Sequence, residues 1–97
     1  MRQFDIVRLR GRQLAVVLQC GLLDDRTTRV VAPLFRTSSI SPTPRLHPLV
    51  RIGRHEYLLA TEKLAAVLKK DIEEVVGSMA GQEYEIRRAI DIVFIGV

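Results

Sequence analysis

The side chains able to do chemistry in this chain are few and scattered. His47 and His55 stand eight residues apart. Neither has a cysteine or a second histidine at the short spacing that a zinc site needs, so no metal site is expected. Ser38, Ser39 and Ser41 lie in a Pro-rich stretch with no glycine-flanked nucleophile turn around them. The isolated glycines at 11, 21, 53, 77, 81 and 96 form no phosphate cradle. Asp24 and Asp25 are adjacent carboxylates in a polar run, a pattern commoner in solvated turns than in acid–base pairs. The lone Cys20 follows AVVLQ and reads as a packed thiol. One cysteine cannot staple a secreted domain, so a reducing, cytoplasmic setting is expected. No constellation here points to catalysis. The expectation is a protein that acts by binding, with no cofactor and no enzymatic activity.

Ninety-seven residues bound the answer to one small domain over 1–97. The net charge of +4 is diluted by 11 carboxylates, and RLRGR at 8–12 is the sole arginine cluster. With five aromatics and no Trp there is no stacking platform for a single strand, and no sequence-specific nucleic-acid reader is expected. The N-terminal MRQFDIVRLR alternates instead of presenting the apolar run of a secretory signal. No stretch approaches the roughly 20 apolar residues that cross a bilayer.

The elements that would carry these residues are mostly strands. FDIVRL at 4–9 alternates, with Phe4, Ile6 and Arg8 on one face and Asp5, Val7 and Leu9 on the other. A turn on Gly11 joins it to the apolar run 13–20. TRVVAPL at 28–34 is a third strand, with Pro33 expected near its end. Residues 36–48, with three prolines, form an irregular surface loop. LVRI at 49–52 and YLLA at 57–60 pair across a turn. The stretch 61–76 has Leu64, Val67, Leu68, Ile72, Val75 and Val76 at helical spacing, with Thr61 as a possible cap, so periodicity alone predicts a helix.

The last element is a helix from about Gln82 to Phe94, with Glu83 and Arg87 paired at i,i+4. Ile86, Ala89, Ile90, Val93 and Phe94 share a core stripe. Ile95 falls opposite, beside Arg88 and Asp91. An apolar side chain on the solvent face at the end of RAIDIVFIGV asks for a partner to cover it.

Taken in order, QFDIV, LLDDRTTRVVAPL, LHPLVRIG and EIRRAIDIVFIGV resemble the CcdB family of plasmid-type toxins over nearly the whole chain. The resemblance implies a small, SH3-like barrel of antiparallel strands with one C-terminal helix, assembled as a homodimer. It implies a toxin that binds the A subunit of DNA gyrase and traps the enzyme on cleaved DNA, and that is neutralised by an acidic, CcdA-like antitoxin. The gyrase-binding residues it implies are Leu22, Leu23, Asp91, Phe94, Ile95, Gly96 and Val97. Ile95 stands where a well-known family ending has Trp, and Asp91 where Asn is common. Leu68 stands where the family often has Pro in an extended segment, so tertiary pairing is expected to override helix propensity at least over 61–66. Two other readings remain at this stage. One is an endoribonuclease toxin of the same barrel, with Arg8, Arg10, Arg12 and Arg29 as phosphate contacts. The other is a non-toxic dimeric interaction module.

Overall fold

A computed structural model describes residues 1–23 and 26–96, Leu23 in its backbone alone. The expected turn at Asp24 and Asp25 lies outside the described residues, as does Val97. Among the described residues, seven antiparallel strands make a curled, barrel-like sheet, and one α-helix follows them. The strands are β1 (Asp5–Leu9), β2 (Leu14–Val17), β3 (Thr28–Arg36), β4 (Leu49–Ile52), β5 (His55–Leu59), β6 (Ala65–Leu68) and β7 (Ile72–Ser78). The helix is α1 (Glu83–Ile95). The pairing path runs β4-β5-β3-β2-β1-β7, with β6 added to β3.

Period-2 alternation explains why both faces of the sheet are dry. Phe4, Ile6, Val16, Ala32, Leu34 and Leu59 point one way and pack with Met79 and Ile86. Val7, Ala15, Val17 and Val31 point the other way, joined by Leu9, Val67 and Ile72. One face is therefore covered by the helix, and the other by the curl of the sheet on itself. The β1–β2 turn is made by Gly11 and Arg12, both at positive φ (88° and 71°).

β3 is longer than the sequence suggests, because it serves three partners. Residues 28–31 pair with β6, 31–33 with β2 and 34–36 with β5. Pro33 consequently lies inside the strand, where pairing passes from β2 to β5. The Leu18 N–H donates to the Val30 carbonyl at 2.8 Å, which fixes the phase of the β2 ladder. In that phase Pro33 falls opposite Ala15 at a pair needing no hydrogen bond. Its missing N–H costs that ladder nothing.

The helix that periodicity predicts over 61–76 does not form. Residues 61–63 and 69–71 are single 3-10 turns, and β6 and β7 fill the rest. β6 supplies the backbone partners of β3, and β7 those of β1. Two long-range ladders thus outweigh a local preference of a few tenths of a kcal/mol per residue. Thr61 caps nothing. Its side chain is buried, and its hydroxyl donates to the Leu46 carbonyl at 2.7 Å.

Leu68 offers a clean test of this segment. The Lys69 N–H donates to the Thr27 carbonyl, so the adjacent pair Leu68–Thr28 is one without ladder hydrogen bonds. Leu68 also sits at φ −71°, within proline's range. Leu68→Pro is therefore expected to leave stability unchanged or raise it by about 0.4–1 kcal/mol. Were 61–76 helical, the same change would cost about 3 kcal/mol or more. Urea unfolding of the two proteins separates these outcomes.

Candidate functional site

Two surfaces collect side chains that could do something, and α1 helps to build both. Glu83 and Glu85 lie in its first turn, favoured by the positive end of the helix dipole. Arg87 donates to Glu83 at 3.3 Å, as the i,i+4 spacing anticipates. Ile86 and Ala89 are fully buried against the sheet, and Ile90 packs partly on the same cluster.

After Ile90 the stripe leaves the core. Phe94, expected inside, is 67% exposed, because the helix runs on past the cluster that buries Ile86. Ile95 is 70% exposed, on the open face where the helical wheel puts it. Gly96 closes the helix at φ 83°, its N–H reaching the Asp91 and Ile92 carbonyls at 3.3 and 3.0 Å. A left-handed residue is needed there, and glycine takes that conformation without strain. Two large apolar side chains are thereby held in water at a capped helix end. Asp91 is exposed on the same turn.

Leu22 is 91% exposed on the 3-10 turn Gly21–Leu23, whose backbone is fastened by the Leu22 N–H to Cys20 Sγ at 3.4 Å. Of the seven residues assigned by resemblance, Asp91, Phe94, Ile95 and Gly96 share one helix end, and Leu22 lies on a separate turn. The Leu23 side chain and Val97 are outside the described residues.

The second surface was not legible in the sequence. The loop carrying residues 43–49 is fixed from several sides. The His47 and Leu46 N–H groups donate to the Thr43 carbonyl, the Leu59 N–H to the Pro48 carbonyl, and Gln82 of the α1 approach to the Leu49 carbonyl at 2.6 Å. His47 is 8% exposed. Its Nδ1 accepts the Thr43 N–H at 2.9 Å, so Nε2 carries the proton and donates to the Glu62 carboxylate at 2.9 Å. So fastened, the loop and α1 enclose a cleft lined by Arg45, His47, Leu49, Glu85 and Arg88, with Pro44 and Pro48. Arg45 is held at φ 70°, a conformation uncommon outside glycine. No spacing rule links His47 to Glu62, fifteen residues on, or Arg45 to α1.

The Glu62 carboxyl has a lowered pKa. Partial desolvation pushes it up, but the hydrogen bond from His47, its own backbone N–H and the His47 and Lys63 charges together outweigh that. Its ionised form therefore stabilises the fold above the unfolded carboxyl value of about 4.3, and this contribution is lost as pH falls through the lower folded value. Glu62→Gln should be less stable than the parent at pH 7, and the gap in melting temperature should close at pH about 3. A gap that stays constant over this range would contradict the pairing.

The arginines first offered as phosphate contacts are largely engaged elsewhere. Arg29 is 3% exposed and donates to the Arg26 and Thr28 carbonyls. Arg8 is ion-paired with Glu74, and Arg10 with Asp71 at 3.6 Å. Among the described residues no three His, Cys, Asp or Glu side chains gather as a metal cage, and no helix is long and apolar enough to cross a membrane.

Among solved structures the chain is similar to a Mycobacterium tuberculosis toxin, MazF-mt6, with TM-score 0.80 and 15% identity over 93% of this chain and 95% of that one. It is similar to an endoribonuclease from a mycobacterial species, solved with its cognate antitoxin (TM-score 0.80, 11% identity, 96% and 93% coverage). A MazE–MazF structure from Deinococcus radiodurans matches at TM-score 0.74 and 15% identity, over 100% of this chain and 97% of that one. At these identities the likeness is one of fold. It nevertheless corrects the expectation of a protein without enzymatic activity. Endoribonucleases share this barrel and helix, so a lack of recognisable sequence motifs is no ground for excluding catalysis. The family model described as CcdB protein matches residues 3–96, with the capped helix end and the Gly21–Leu23 turn inside the match, and the chain belongs to the CcdB family.

Proposed function

We propose that this protein is the toxin of a type II toxin–antitoxin module, directed at the A subunit of DNA gyrase, which it holds on cleaved DNA. Family membership and the barrel fold both support a toxin of this kind. The observation that carries the gyrase reading is the exposed apolar pair Phe94 and Ile95 on a glycine-capped helix end, with Leu22 as a further exposed apolar side chain. A soluble protein keeps two such side chains in water at a rigid position when a partner covers them. The toxin works in the cytoplasm as a homodimer and is silenced by an acidic antitoxin, whose encounter with the +4 toxin is speeded by charge.

A second reading is an endoribonuclease. The fold it shares with such enzymes and the arginine-lined cleft favour it. Incubating the purified protein with gyrase and supercoiled plasmid, and separately with RNA, tests both. Accumulation of linear DNA after protein removal, with RNA intact, supports the gyrase reading. Cut RNA with no trapped gyrase replaces it with the second.

A further inference from the structure

We propose that the cleft between the 43–49 loop and α1 binds a ribonucleotide strand. Arg45 and Arg88 grip a phosphodiester, and Glu85 accepts the hydrogen bond of a ribose 2′-hydroxyl. The inference goes beyond the gyrase reading and does not rest on it, and it concerns binding without a cleavage step.

Three observations carry it. The first is the pairing of cations across the cleft from two separate elements. Arg45 comes from the loop and Arg88 from the helix, so two arginines from separate elements line one space. A guanidinium matches the oxygens of a phosphate in a way an ammonium does not.

The second is preorganisation. The loop is tied to β5, to the 61–63 turn and to the approach of α1 by the hydrogen bonds of Pro48, Leu46 and Leu49. Arg45 is held at positive φ in the middle of it. Strain retained at an arginine by a fastened loop is a feature of binding sites. Arg88 lies over the Tyr84 ring at 5.7 Å, which orients its guanidinium. The Arg45 and Glu85 side chains have no hydrogen-bond or ion-pair partner among the described residues, so both are available to a ligand.

The third is the carboxylate. Glu85 stands three residues before Arg88, on the same helix face and in the same cleft. A carboxylate in the cleft accepts hydrogen bonds, and ionised acidic side chains have no donor to give it. A ribose hydroxyl beside the bound phosphate offers it a donor instead, and that hydroxyl is what distinguishes RNA from DNA. His47, its two ring nitrogens committed to Thr43 and Glu62, forms a wall of the cleft.

The test measures binding of a labelled single-stranded RNA of eight nucleotides to the full-length protein, against DNA of the same sequence. Inorganic phosphate and polyglutamate serve as competitors. RNA should bind more tightly than DNA and be displaced by phosphate. Arg88→Ala and Arg45→Asn should each weaken RNA binding by about tenfold or more. Asn is chosen because it tolerates positive φ. Arg88→Lys should recover only part of the loss. Arg88→Ala and Arg45→Asn should each lower the salt dependence by about one counterion. Glu85→Ala should collapse the RNA-to-DNA ratio towards one. Arg54→Ala, in the exposed β4–β5 turn, should leave binding unchanged. Unfolding curves establish that each variant is folded. Equal losses in Arg54→Ala and the cleft variants would mean diffuse charge and overturn the site. Polyglutamate binding with the same arginine dependence would make it an acidic-peptide site and overturn the RNA assignment. Undiminished RNA preference in Glu85→Ala would remove the role given to that carboxylate.

Discussion

Ile95→Ala and Phe94→Ala, combined in one protein, should fold with near-parental stability and lose about a hundredfold or more in affinity for gyrase. Both side chains are about two-thirds exposed, and neither belongs to a core cluster. Truncating them opens no internal cavity, so the cost in stability should stay below about 1 kcal/mol. Burial of such side chains under a partner is worth about 1.5–3 kcal/mol each, and that is what the double variant forfeits. The backbone that presents them does not depend on them, since Gly96 completes the cap through its own N–H. The resemblance puts Trp at the position of Ile95. Ile95 keeps apolar area there without a ring N–H to donate, so its contribution should come from burial alone. Gyrase binding by calorimetry and thermal unfolding, measured on the same preparations, check both halves. Lost stability in the variant would make the tip part of the core.

The opposite ranking is expected for Ile86→Ala. Ile86 has no exposed surface and sits among Phe4, Leu59 and Met79, where the helix meets the sheet. Removing three carbons there leaves a cavity in a cluster built from four strands and the turn before α1, which cannot all move in to fill it. The expected cost is about 2–5 kcal/mol. A small domain has about 5–15 kcal/mol in total, so the variant should melt far below the parent. What remains folded should bind gyrase with parental affinity, because Ile86 is buried and two turns away from the tip. Chemical denaturation gives the first quantity, and binding per folded molecule gives the second. A loss below 1 kcal/mol would mean that α1 is not anchored through this side chain.

How much of this could be read beforehand depended on the range of the interaction. The β1 alternation from Phe4 to Leu9 and the helix from Glu83 are local patterns. Each was legible because its period is written in consecutive residues. The exposed Ile95 was legible for the same reason. Phe94 was misplaced because a helical wheel assumes a core along the whole helix, whereas this one ends near Ile90. Over 61–76 the local signal pointed the wrong way. Val67 and Ile72 do face a core, but they reach it as strand residues opposite β3 and β1, and only the three-dimensional arrangement supplies those edges. The cleft was illegible because its residues come from a loop and a helix some forty positions apart. The His47–Glu62 pair that stiffens its wall spans fifteen positions and obeys no motif. Judging catalysis from motifs alone failed for the same reason, since the fold is shared with endoribonucleases at 11–12% identity.

The central claim is that the capped end of α1 is a binding face for gyrase. The most direct measurement is affinity of the purified protein for the isolated gyrase A subunit, set beside that of the Phe94, Ile95 double alanine variant at matched folded fraction. The account predicts saturable binding by the parent and a loss of about a hundredfold or more in the variant, with unfolding midpoints that differ little. Equal affinity in two equally folded proteins, or no binding by the parent, would contradict it.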